Sequence, residues 1–268
     1  MDAPMVAIIW CALFSIAAGV PLSLNTWAAL GCAVWTIYLA DRWLDGVPEL
    51  PQLLPERHRF WMGQRPLLAV VAAVAVASAI WFGWRAATWA LLAAAAPAGL
   101  GALVHLAVVH RLRWRYWPKE AAVGAIFAMG VLAPVAAGLC AMPAPLAAAA
   151  SVFALLCWLN CVVIEYGEWR AGIAMGEPGP WVAACGRHTA RIAAGIALLT
   201  VVFGLAAGRT WHPVLAAEAG ASVLLAMVGA RRWLDPTALA TAADLALLLP
   251  AVGVSLLEVG LGLGRMPS

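Results

Sequence analysis

Charge is the scarcest commodity in this 268-residue sequence: Asp, Glu, Lys and Arg make up 11% of it, against about 25% in soluble domains. So little charge cannot clothe a water-facing surface around a chain that is 65% hydrophobic. With a mean hydropathy of +0.92, lipid must solvate most of the exterior. Other absences narrow the field. No long polar linker divides residues 1–268, which read as a single polytopic membrane domain. The net charge of +3 is too small to point to nucleic acid. There is no CxxC pair, P-loop or clear nucleophile–base triad, so thiolate-metal, phosphate-loop and acyl-enzyme chemistry have no signal. No basic stretch precedes the first apolar run, where Asp2 is the lone charge. Met5–Val20 is therefore expected to be a span and not a cleaved signal. Of the six cysteines, Cys157 and Cys161 are four apart on one helical face, and they are expected to pack as small hydrophobes.

What the chain has is apolar runs. A bilayer crossing takes about 20 mostly apolar residues. Candidates fall near 5–20, 24–40, 66–84, 87–109, 120–140, 144–164, 190–207, 212–229 and 238–262, with Pro and Gly at many of the joins. The expected fold is all-α and integral to the membrane, with about nine transmembrane helices. Orientation follows from Lys and Arg. With nine spans, Arg42, Arg57, Arg59, Arg65, Arg111, Arg113, Arg115, Lys119, Arg170, Arg187, Arg191, Arg231 and Arg232 share one side, leaving Arg85, Arg209 and Arg265 on the other. The expectation is an inner-membrane protein with a cytoplasmic N-terminus, its long charged loops cytoplasmic and its opposite joins short.

Two acidic clusters end spans on that side. The second span runs into YLADRWLDG (38–46), where Asp41 and Asp45 are one helical turn apart. Two carboxylates so placed repel unless a cation joins them, and Mg²⁺ held by one or two carboxylates plus substrate phosphates fits. A solvated helix end with surface ion pairs explains the same spacing. The sixth span ends in NCVVIEYGEWR (160–170), bringing Asn160, Glu165 and Glu168 to the same side. Arg57, Arg59, Arg115 and Lys119 lie in adjoining loops and can clamp phosphate oxygens, although the positive-inside rule also accounts for them. Asp244 and Glu218 sit deeper, and acids at that depth face a bundle interior. His105 and His110, near the end of span four, can reach the charged interface.

The segment ADRWLDG resembles the first aspartate-rich motif of the UbiA superfamily of intramembrane prenyltransferases, roughly Asn-Asp-x-x-Asp-x-x-x-Asp. Asp41 and Asp45 match its last two acids, and the cluster after span six falls where the family's second acidic motif lies. KEAAVGAIFAMGVLAP (119–134) is similar to the start of the family's fifth span. The family's Asn and first Asp fall on Ile37 and Tyr38, and Asn160, Glu165 and Glu168 stand where aspartates are usual, so the chain looks like a divergent member.

The resemblance implies nine helices in a ring around a central cavity. It also implies Mg²⁺ held by Asp41, Asp45, Glu165 and Glu168, which would be the catalytic acids. Tyr38, Arg42, Arg57, Arg59, Arg115, Lys119, Asn160 and Asp244 would contact substrate. The implied reaction transfers an isoprenyl group from an isoprenyl diphosphate to a lipophilic acceptor in the bilayer. Intramolecular capture, as in the superfamily's terpene cyclases, is a close variant. A non-catalytic lipid-binding or assembly protein is the main alternative, and a transporter is a third.

Overall fold

The computed structural model describes residues 3–45, 64–112, 117–172, 180–231 and 234–262. Each expected apolar run folds as a helix. In chain order these are α1 (Ala3–Ala18), α2 (Leu24–Asp45), α3 (Arg65–Ala86), α4 (Trp89–Leu106), α5 (Lys119–Ala137) and α6 (Ala144–Arg170). After them come the short α7 (Pro180–Arg187), then α8 (Thr189–Ala206), α9 (His212–Ala230) and α10 (Pro236–Gly262). A π-helical turn, Ala107–Arg111, prolongs α4, and a 3-10 turn, Arg209–Trp211, leads into α9. No strand occurs among the described residues. The α7 segment was expected to be loop.

Seven segments are long and apolar enough to cross a membrane: Pro66–Ala86, Trp89–Arg111, Lys119–Ala137, Ala144–Arg170, Thr189–Ala206, Arg209–Ala230 and Pro236–Leu257. α1 is apolar but only 16 residues long. α2 has 22 residues, diluted by Asn25, Thr26, Thr36, Tyr38 and the charged end at Asp41. The local chemistry of the joins is ordinary. Pro opens α3, α6 and α9, where its missing N–H costs nothing. Thr88 caps α4 by accepting from the Leu91 N–H at 3.1 Å, and Asp235 caps α10 by accepting from the N–H groups of Thr237 and Ala238. Val70, Val74, Ile80, Trp81 and Trp84 of α3 are all exposed, a surface that only lipid can cover.

The helices form two regions of different character. In the first, α6 packs against α5, α7, α8, α9 and α10, and α1 against α2, α5, α9 and α10. Trp10 stacks on Phe153 with centroids 4.6 Å apart, and Phe14 and Phe127 close around them. Gly124 lets α5 press on α6: a Cβ there would stand 2.8 Å from the Ala154 carbonyl oxygen and from the Trp158 nitrogen. Pro250 lies inside α10, and its missing N–H removes the helical donor of the carbonyl four residues back, that of Ala246. The Trp10 indole donates to the neighbouring Leu247 carbonyl at 3.0 Å.

In the second region α2 pairs with α3 over a small core of Leu39, Leu68 and Ala75, and α4 packs on α5. Although only Ala87 and Thr88 join α3 to α4, these two helices make little contact with each other. The space between the α2–α3 and α4–α5 pairs is a cavity.

Candidate functional site

The cavity has a volume of about 480 Å³ and is walled by α2, α3, α4 and α5, within the range of about 300–1,000 Å³ common for small-molecule sites. Small residues make the room: Ala33, Ala79, Gly83, Ala95, Gly99 and Ala102 all line it. Its length follows α2 from Thr26 to Asp41, a rise of about 22 Å at 1.5 Å per residue. The walls are largely apolar; Thr26 lies at one end, and the ionisable groups, Tyr38, Asp41 and His105, meet at the other.

That end is built by three helix termini and one irregular turn. Asp41 lies in the last turns of α2, and its Oδ1 is 3.2 Å from His110 Nε2. His110 belongs to the π turn after α4. In a regular α-helix, residues five apart point about 140° away from each other. The wider i→i+5 turn closes much of that angle, so His105 can line the cavity while His110 reaches Asp41. The Trp117 indole, just before α5, donates to His105 Nδ1 at 3.2 Å.

A second polar knot lies on α5, α6 and α10. Lys119, the chain's one lysine, places Nζ 2.7 Å from Glu165 Oε2 and 3.8 Å from Glu120 Oε1. Glu120 is buried and meets Glu165 directly. Asn160 Nδ2 donates to Asp244 Oδ1 at 3.0 Å, tying α6 to α10. Asn160 Oδ1 is buried and has no partner among the described residues. The Cys161 thiol lies within electrostatic range of Glu120, Glu165, Asp244 and Lys119. The two knots share one end of the bundle, because His105 is within electrostatic range of Asp41, His110 and Lys119 together.

Of the residues singled out by sequence, Tyr38 and Asp41 line the cavity, Glu165 and Lys119 form an ion pair, and Asn160 and Asp244 form a hydrogen bond. Glu168 is half-buried near the end of α6. Arg42 and Asp45 stand in α2 with side chains outside the described residues, and Arg57, Arg59 and Arg115 lie outside them altogether. Sequence reasoning gave no site role to Trp117 or Glu120, and placed His105 and His110 only within reach of the charged interface. The spacing of the two histidines was the one available hint.

Comparison with protein-family models, with curated proteins and with solved structures finds no match. The site therefore has to speak through its chemistry. Among the described residues no group of three or more His, Cys, Asp or Glu is arranged to hold a metal. The Mg²⁺ that serves phosphate substrates needs less, one or two carboxylates completed by waters and phosphate oxygens. Asp41 meets that smaller requirement: its side chain is 35% exposed at the polar end, and Asp45 follows one turn later. Glu165 is differently placed, since Lys119 already neutralises it.

Proposed function

We propose that this protein is a divergent UbiA-type enzyme that transfers an isoprenyl group from an isoprenyl diphosphate to a lipophilic acceptor within the bilayer. The observation that carries this reading is the shape of the cavity, a long, largely apolar slot with its ionisable groups gathered at one end. A prenyl chain fits such a slot, with its diphosphate at Asp41. In this reading the polar end is cytoplasmic, the N-terminus lies inside, and nine helices, α1 and α2 included, cross the inner membrane, with α2, α3, α4 and α5 walling the cavity.

Asp41 and Asp45 would hold Mg²⁺, which when bound supplies charge stabilisation to the departing diphosphate. His110 fixes one oxygen of Asp41 and leaves the other without a partner among the described residues. Lys119 and the arginines of the adjoining loops, Arg57, Arg59 and Arg115, add positive charge for the same leaving group. The C–O bond breaks with its electron pair going to diphosphate, and the apolar walls keep water from the allylic cation that remains. The acceptor attacks that carbon, and the proton it gives up passes to the departed diphosphate. Capture within the same chain, as a cyclase would do, uses the same groups.

One observation favours the second reading, a lipid-binding protein without catalysis: Asp41 and Glu165 already have side-chain partners in His110 and Lys119. Diphosphate release separates the two. Purified protein incubated with Mg²⁺ and a panel of isoprenyl diphosphates releases diphosphate if it is an enzyme, and Asp41→Asn abolishes that release. The same change alters stability by only about 0–1 kcal/mol, as expected for a partly exposed ion pair. Full product formation by Asp41→Asn would remove the metal role given to this residue. Tyr38→Asp restores the acid that the family pattern carries and is expected to strengthen Mg²⁺ binding. Reporter fusions after Arg65, Arg115 and Arg170 test the topology, and a periplasmic signal at any of them contradicts it.

A further inference from the structure

The bond between Trp117 and His105 fixes more than a ring position. An indole N–H can only donate, so the Nδ1 that accepts it carries no proton. In the neutral imidazole the remaining proton is then on Nε2, on the far side of the ring. His105 is 8% exposed and lines the cavity, and Nε2 has no hydrogen-bond partner among the described residues. A polar N–H held in an apolar site is costly to leave unmade, and the available space beside it is the cavity.

We propose that His105 is a tautomer-locked hydrogen-bond donor at the polar end of the cavity, and that it takes an uncharged oxygen, carbonyl or hydroxyl, of a lipophilic molecule seated there. The donor is neutral, which suits an uncharged oxygen, whereas an anion beside the Asp41 carboxylate at the same end would need a bound cation between them. The walls beyond that end offer mainly hydrocarbon contacts, which suit an aliphatic or ring-bearing tail. Under the prenyl-transfer reading this molecule is the acceptor, and that assignment rests on the reading. The donor role of His105 does not.

The test uses the full chain in lipid nanodiscs with two probes: a long-chain methyl ketone labelled with ¹³C at its carbonyl, and the alkane of matched length. Wild-type protein should retain the ketone over the alkane by about tenfold, the worth of one neutral hydrogen bond. The bound carbonyl stretch should lie at lower wavenumber than that of ketone in protein-free discs. His105→Phe should abolish both the preference and the shift, whereas His105→Gln, whose amide N–H reaches the Nε2 position, should keep part of each. Should the Phe variant fail to fold, His105→Asn, whose shorter amide ends near Nδ1, must also lose the shift. An unshifted carbonyl in the wild type, or a shift that persists in His105→Phe or His105→Asn, overturns the proposal. Diphosphate plays no part in this experiment, so its failure leaves prenyl transfer standing. A shifted carbonyl in a protein that releases no diphosphate would remove prenyl transfer alone.

Discussion

The two halves of the bundle are built from the same kinds of residue, yet one is solid and the other hollow. Around α1 and α6, large side chains meet large side chains: Trp10, Phe14, Phe153, Leu156 and Leu225 have almost no exposed surface. Between α2–α3 and α4–α5, small residues such as Ala33, Ala79, Gly83, Ala95, Gly99 and Ala102 set the facing walls apart, and a space of about 480 Å³ stays open. In water such a space would tend to collapse, because closing it would bury apolar surface. In a bilayer that driving force is absent, since lipid tails are as apolar as the helices. Packing alone decides which faces close, and a face with nothing to interdigitate does not.

Substitutions that exchange the character of the two halves sharpen this contrast. The largest effect is expected from Phe153→Ala, which removes the ring that Trp10, Phe14 and Phe127 surround. A loss of about 3 kcal/mol should be read as a clear fall in thermal midpoint in detergent. Gly124→Ala should cost about 2 kcal/mol through overpacking, because its methyl meets helix backbone at 2.8 Å and backbone cannot rotate aside. A cost near zero would mean that α5 and α6 are less closely set than described.

Glu218→Leu should go the other way. Glu218 is fully buried in α9, and neither carboxylate oxygen has a partner among the described residues. Replacing it with an apolar side chain of similar size should stabilise by about 1 kcal/mol, a rise of roughly 3 °C in Tm. A marked loss instead would reveal a partner that this acid serves. The smallest effect on stability, under about 1 kcal/mol, belongs to Gly99→Leu. Gly99 lines the cavity, and a Cβ there meets nothing within 4 Å. The same change should abolish retention of the long-chain ketone, because the leucine occupies its place. Large destabilisation by Gly99→Leu would mean that the cavity half is packed after all.

The helices were legible in the sequence because each apolar run is long and its ends carry Pro, Gly or a polar cap, as at Thr88 and Asp235. Asp41 was legible because acids are rare here and its neighbour Asp45 stands one turn away. The cavity was not. Its walls depend on which face of each helix turns inward, and α3, α4 and α5 are apolar on every side, so no periodicity marks that face. The partners of the acids were equally hidden. His110 meets Asp41 across 69 residues and Asp244 meets Asn160 across 84, pairings that depend on the register between helices. Glu120 sat unremarked beside Lys119, because adjacency in sequence does not tell that both turn toward Glu165. The π turn is a backbone event that no residue pattern announces.

The Trp10 indole reaches the Leu247 carbonyl across 237 positions of sequence. In lipid no water can stand in for either group, so each depends on the other helix being present. A fragment that contains α1 without α10 leaves a donor stranded in hydrocarbon, and one with α10 alone leaves the Leu247 carbonyl without its cross-helix donor. The bundle thus carries its own completeness check. Separately expressed halves, each with one of these helices, should be short-lived in the membrane apart and rescue each other when made together.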